Sequence, residues 1–100
     1  MNNYKVLNEK GKEIHTDVAL HPGDILSDEL EARNIKKTDF AEQLGIAPSH
    51  LSDLLRGRRH VSAATALGLE KLLGIPAEYW MRVQVYYDLF VARNKTGSAT

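Results

Sequence analysis

Apolar positions along the chain fall into five stretches with helical spacing, preceded by one stretch with none. From Tyr4 to Leu20 the pattern "YKVL" followed by "NEKGKEIH", with Asn8 and Gly11 as turn formers, allows a short hairpin or an extended arm. His21-Pro22-Gly23-Asp24 then opens a first helix with Ile25, Leu26 and Leu30 on one face and acids in its first turns, ended by Asn34. A second helix over Lys37 to Leu44 buries Phe40, Ala41 and Leu44 and stops at Gly45. The third runs from Pro48 to Leu55, with Leu51, Leu54 and Leu55 on one side and Gly57 just past its end. Ser62 caps a fourth that carries Ala66, Leu67, Leu69, Leu72 and Leu73 and closes at Gly74. Pro76 starts a long fifth helix through Trp80, Val83, Tyr87 and Phe90 toward Asn94. The fold class expected is all-α, with a non-helical N-terminal extension over residues 1–20, a five-helix domain over 21–94 and a disordered tail over 95–100.

The join between the second and third helices, "FAEQLGIAPSHLSDLL", dictates a geometry. Gly45 supplies a positive φ, Ile46 plugs the corner, and Ala41 allows the two helices to approach closely. Apolar, small, Gly, apolar and Leu in that order is the pattern of a helix-turn-helix, with an ordinary helical hairpin as the competing possibility. In a helix-turn-helix the second of the two helices enters the DNA major groove N-terminus first.

Charge supports that assignment through its placement, because 13 Lys and Arg balance 13 Asp and Glu. Between Arg33 and His60 stand Arg33, Lys36, Lys37, Arg56, Arg58 and Arg59 against Asp39, Glu42 and Asp53, while acids gather at Asp24, Asp28, Glu29 and Glu31. One face can therefore meet an anionic partner while the whole chain stays neutral, although a solvated surface of scattered charge has the same composition. On the outward side of the third helix, Pro48, Ser49, His50, Ser52 and Asp53 are the candidate base-facing residues. The serines can contact phosphates or base edges, His50 can donate, and Asp53 can accept from a cytosine amine but repels phosphate. Arg56, Arg58, Arg59 and His60 on one flank, and Lys36 and Lys37 at the start of the second helix on the other, are the candidate phosphate contacts.

Catalysis finds little support. His15, His21, His50 and His60 lack the spacing of metal ligands, no glycine-rich phosphate loop is present, and Ser52-Asp53 has no base on its face. No catalytic residue, metal or cofactor is expected. The chain has no cysteine, no apolar run of membrane-span length and no apolar N-terminal leader segment, so the cytoplasm is the expected location and no membrane partner is expected.

The fifth helix carries Tyr79, Trp80, Met81, Val83, Val85, Tyr86, Tyr87, Leu89, Phe90 and Val91, more apolar surface than one buried stripe needs. Trp80, Val83, Tyr87 and Leu89 are expected in the core, leaving Tyr79, Tyr86 and Phe90 for a two-fold partner or another protein, or simply as exposed aromatics.

The segments "HPGDILSDEL" (21–30), "FAEQLGI" (40–46), "LSDLLRGRRHVS" (51–62), "TALGLEKLLG" (65–74) and "EYWMRVQVYYDL" (78–89) resemble the HigA-type antitoxins of bacterial addiction modules, within the Xre/Cro helix-turn-helix superfamily. His-Pro-Gly at the first helix, with Trp80, Gln84 and Tyr87-Asp88-Leu89 in the fifth, is the more particular part of that match. The resemblance implies a homodimeric DNA-binding protein that represses its own operon from an operator with inverted half-sites and neutralises a small basic RelE-like ribonuclease toxin. A free-standing Xre-type repressor without a toxin shares every DNA-facing residue, and an interaction module that has lost DNA binding is a further alternative. Relatives often start the recognition helix with Ser followed by Arg or Lys and carry another Arg near its middle. This chain has Ala47, Pro48 and Asp53, so the family's base preference does not carry over.

Overall fold

A computed structural model describes residues 20–99, and over them the chain is helical: α1 (Pro22–Ala32), α2 (Lys37–Leu44), α3 (Pro48–Leu55), α4 (Ala63–Leu73) and α5 (Ala77–Ala99). The hairpin or arm expected at the N-terminus lies outside the described residues, apart from the exposed Leu20.

The local signals act as the chemistry of helix ends requires. At α1, Nδ1 of His21 accepts the Gly23 N–H (2.8 Å) while the Asp24 carboxylate accepts the His21 N–H (3.2 Å), a capping box in which histidine takes the place of serine. Asn34, at φ +60°, turns the chain out of α1. Gly45 sits at φ +80°, and the N–H groups of Gly45 and Ile46 both donate to the Ala41 carbonyl at 2.9 and 3.0 Å. A side chain would strain that turn, which sets the angle between α2 and α3. The Ser62 hydroxyl accepts the Thr65 N–H and caps α4.

The core gathers one stripe from every helix: Leu26 and Leu30, Phe40 and Ala41, Leu51 and Leu54, then Ala66, Leu69 and Leu73, and finally Ala77 and Trp80, with Val61 from the α3–α4 loop. Two close approaches fix its geometry. Gly23 lies so near the end of α3 that a Cβ there would overlap the Leu54 carbonyl oxygen, which seats the start of α1 on the C-terminus of α3. At the α4–α5 corner, Glu70 Oε1 accepts the Ala77 N–H (2.8 Å) and Trp80 Nε1 donates to the Ile75 carbonyl (3.2 Å), so the buried indole keeps its polar atom satisfied.

Of the expected core positions, Leu67, Val83, Tyr87 and Leu89 differ, Tyr87 being half-buried. Leu67 is 61% exposed because the buried stripe of α4 runs through 66, 69 and 73 and leaves 67 on the outer face. Along α5 the buried positions are Ala77, Trp80 and Gln84, so Leu89 falls on the outer side at 40% exposure and Val83 is half-buried. Phe90, assigned from the sequence to the free face, is half-buried as well. The helix itself continues past Asn94 to Ala99.

Candidate nucleic-acid interface

α3 is set into the domain along one side only. Leu51 and Leu54 are fully buried, while Pro48 and Ser49 are exposed and His50, Ser52 and Asp53 half-exposed. In the helix-turn-helix both N-caps, Lys36 and Ala47, make no side-chain capping bond, unlike His21 of α1 and Ser62 of α4. Helix geometry leaves the first-turn N–H groups of α2 and α3 without an intrahelical acceptor, so each start can receive an anionic oxygen. Lys36 and Lys37 stand exposed at the start of α2 and add their charge to that of the helix dipole.

Beyond α3 the chain turns through a tight exit loop in which Gly57 N–H donates to the Leu54 carbonyl (3.1 Å) and Arg58 N–H to the Asp53 carbonyl (2.8 Å). Arg56, Arg58 and Arg59 are exposed there. Asp53 does not stand alone on the outer face: its carboxylate lies 3.9 Å from Arg59 Nε, a solvent-screened pair contributing about 0–1 kcal/mol. That pairing ties the one acid of α3 to an arginine of the exit loop.

His60, grouped from the sequence with the phosphate contacts, has a side chain 71% exposed that also contacts α5. Its Nδ1 lies 3.0 Å from Gln84 Nε2 and 3.3 Å from Asp88 Oδ1. Gln84, 3% exposed, accepts the Val61 N–H on Oε1 at 2.7 Å, which fixes the amide orientation and turns Nε2 toward both His60 and Asp88 (2.9 Å). On the neighbouring turn the buried His21 ring packs edge-on against Tyr87, with centroids 4.7 Å apart. Since Nδ1 accepts from Gly23, the ring carries its proton on Nε2. Gly57 lies against the same ring. Sequence reasoning placed Tyr87 in the core and noted Gln84 and Asp88 without assigning them a role. The signal available was a glutamine standing at a core position of α5.

On the opposite side of α5, Tyr86 (63% exposed), Val85, Leu89 and Tyr79 form an apolar face, with Tyr79 also edge-on to Trp80. Among the described residues there is no cluster of three or more His, Cys, Asp and Glu side chains able to hold a metal ion, and no helix long and apolar enough to cross a membrane.

The α2–turn–α3 geometry, with its polar outer helix and flanking cations, defines a helix-turn-helix protein. The chain belongs to the helix-turn-helix family, whose model matches residues 26–80, a family of DNA-binding regulators and not of enzymes. It is 36% identical over 75 residues to virulence-associated protein I of Dichelobacter nodosus, covering 74% of this chain and 69% of that one. Among solved structures it is similar to an addiction module antidote protein of a HigA family from Coxiella burnetii, with TM-score 0.75 and 34% identity over 82% of this chain and 90% of that one. It is similar as well to the Pseudomonas aeruginosa antitoxin HigA with the higBA promoter, with TM-score 0.75 and 32% identity over 80% and 88% of the two chains.

Proposed function

We propose that this protein is an antitoxin of the HigA type that binds the operator of its own operon, represses it, and neutralises a small RelE-like ribonuclease toxin. The observation that carries the proposal is the open outer face of α3, flanked by the uncapped, lysine-bearing start of α2 and by Arg56, Arg58 and Arg59. Pro48, Ser49, His50 and Ser52 face the bases, Asp53 stands at the edge of that set beside Arg59, and Lys36, Lys37 and the arginines hold phosphates on either side. The likeness to an antitoxin solved with its promoter supports the DNA part of the proposal. A homodimer joined through the apolar face of α5 presents two α3 helices to inverted half-sites about 34 Å apart.

Footprinting on the DNA upstream of the chain's own coding region is the test of the DNA part, with protection of two inverted half-sites as the expected result. For the toxin part, the neighbouring reading frame is expressed alone and together with this chain. Growth arrest relieved by co-expression is expected. A footprint without a toxic neighbour would leave a free-standing repressor, and the absence of a footprint would refute operator binding.

A further inference from the structure

The arginines of the exit loop are useful to a DNA-binding protein only if the loop has one shape. Short internal bonds to Leu54 and Asp53 hold its first half, as described above; in the second half Val61 is buried in the core, while the side chains of Arg59 and His60 are exposed. Farther along α5 the loop and the helix part around an open cleft of 440 Å³ lined by Gly57, His60, Tyr87, Asp88, Val91, Ala92 and Lys95. Packing therefore anchors the loop at Val61 and leaves its His60 side open to the cleft.

Gln84 reaches both points. A primary amide at a core position of α5 carries a desolvation cost that a leucine of similar size would not, and it is offset only by the bonds the amide makes. Those bonds run to the exit loop and to Asp88. Oε1 takes the Val61 N–H across a separation of 23 residues, and Nε2 donates to Asp88 Oδ1 and lies 3.0 Å from His60 Nδ1. The bond at Val61 is buried, so no water replaces it.

We propose that Gln84 is a positioning residue of the DNA interface: through Val61 and His60 it holds the exit loop on α5, and so fixes where Arg58 and Arg59 meet the phosphates. This role rests on the DNA-binding function proposed above. Gln84 itself touches no DNA.

The experiment compares the full chain with Gln84→Leu, each titrated against a short random-sequence duplex over a range of salt concentrations, with circular dichroism showing that both are folded. Each phosphate contact contributes about 0.9 to the slope of log affinity against log salt, so Gln84→Leu is expected to lower the slope by about 1 to 2. Adding Arg58→Ala and Arg59→Ala to Gln84→Leu is then expected to lower it no further. Loss of stability alone would not change the slope of a folded protein. In parallel, amide exchange at Arg59, His60 and Val61 is expected to quicken while that of α4 stays unchanged. An unchanged slope, or arginine effects that add in full on the Gln84→Leu background, would overturn the positioning role while leaving DNA binding intact. If Gln84→Leu does not fold, His60→Ala, which removes an exposed side chain from the loop end of the same tether, is read by the same slope. A wild-type chain that binds no duplex refutes DNA binding, and the positioning role with it.

Discussion

His21 combines two tasks in one buried ring: it caps α1 and packs against Tyr87. Burial lowers its pKa below the usual histidine value. The Asp24 carboxylate opposes that shift, His60 adds to it, and Asp88 and the Arg59 backbone oppose it more weakly. The unfolded chain takes up a proton near pH 6.5 while the folded one still resists, so stability is complete above about pH 6.5 and falls as the pH drops below it. Urea denaturation on either side of that value is expected to show the loss, at no more than about 1.4 kcal/mol per pH unit for this one proton. His21→Asn, which keeps a cap acceptor without a titrating ring, is expected to shed that part of the pH dependence. An identical pH dependence in the variant would contradict the assignment. Two residues on, Gly23→Ala would drive a methyl group into the Leu54 carbonyl oxygen, a backbone atom that cannot rotate away. A loss of about 2–3 kcal/mol is expected in the same denaturation measurement.

Among the helices, α1 to α4 were legible because their ends are set by nearest neighbours. Asn34, Gly45 and Gly74 take positive φ where the sequence pattern stops each helix, and Ser62 caps where it precedes one. α5 was legible as a helix but not in its facing, since apolar residues surround it and spacing alone does not choose among them. The stripe that won runs through Ala77, Trp80 and Gln84, and Gln84 wins its place by bonding to Val61, a partner outside any local window. The same rotation moves Leu89 onto the free face beside Val85 and Tyr86. If that face joins two copies, sedimentation at micromolar concentration is expected to give a dimer, and Leu89→Glu or Tyr86→Glu a monomer with unchanged helicity. Phe90→Glu, at a half-buried position, is expected to cost stability as well. A monomer in the unaltered chain would refute the dimer.

At the scale of the whole molecule, neutrality hides a division of labour. The described cations of the recognition side, Lys36, Lys37, Arg56, Arg58 and Arg59, bracket a helix whose own outer side chains are small or polar, while α5 carries an apolar face and a polar layer that reaches back to the exit loop. The candidate phosphate set was legible as a cluster of charge. The contacts of His60 with Gln84 and Asp88 were not legible, because these residues lie 24 and 28 positions along the chain, where no sequence period joins them. Gripping and reading by such a surface separate under salt. The central claim, that α3 lies in the major groove with the exit loop on the backbone, is tested by titrating the chain against the duplex upstream of its own coding region and against a scrambled duplex of the same length. Arg58→Ala is expected to weaken both alike and to lower the salt slope by about 0.9, whereas Ser49→Ala and His50→Ala are expected to keep the slope and lose about 1–3 kcal/mol of discrimination between the two duplexes. Equal affinity of the unaltered chain for both duplexes, or indifference of binding to all three substitutions, would contradict it.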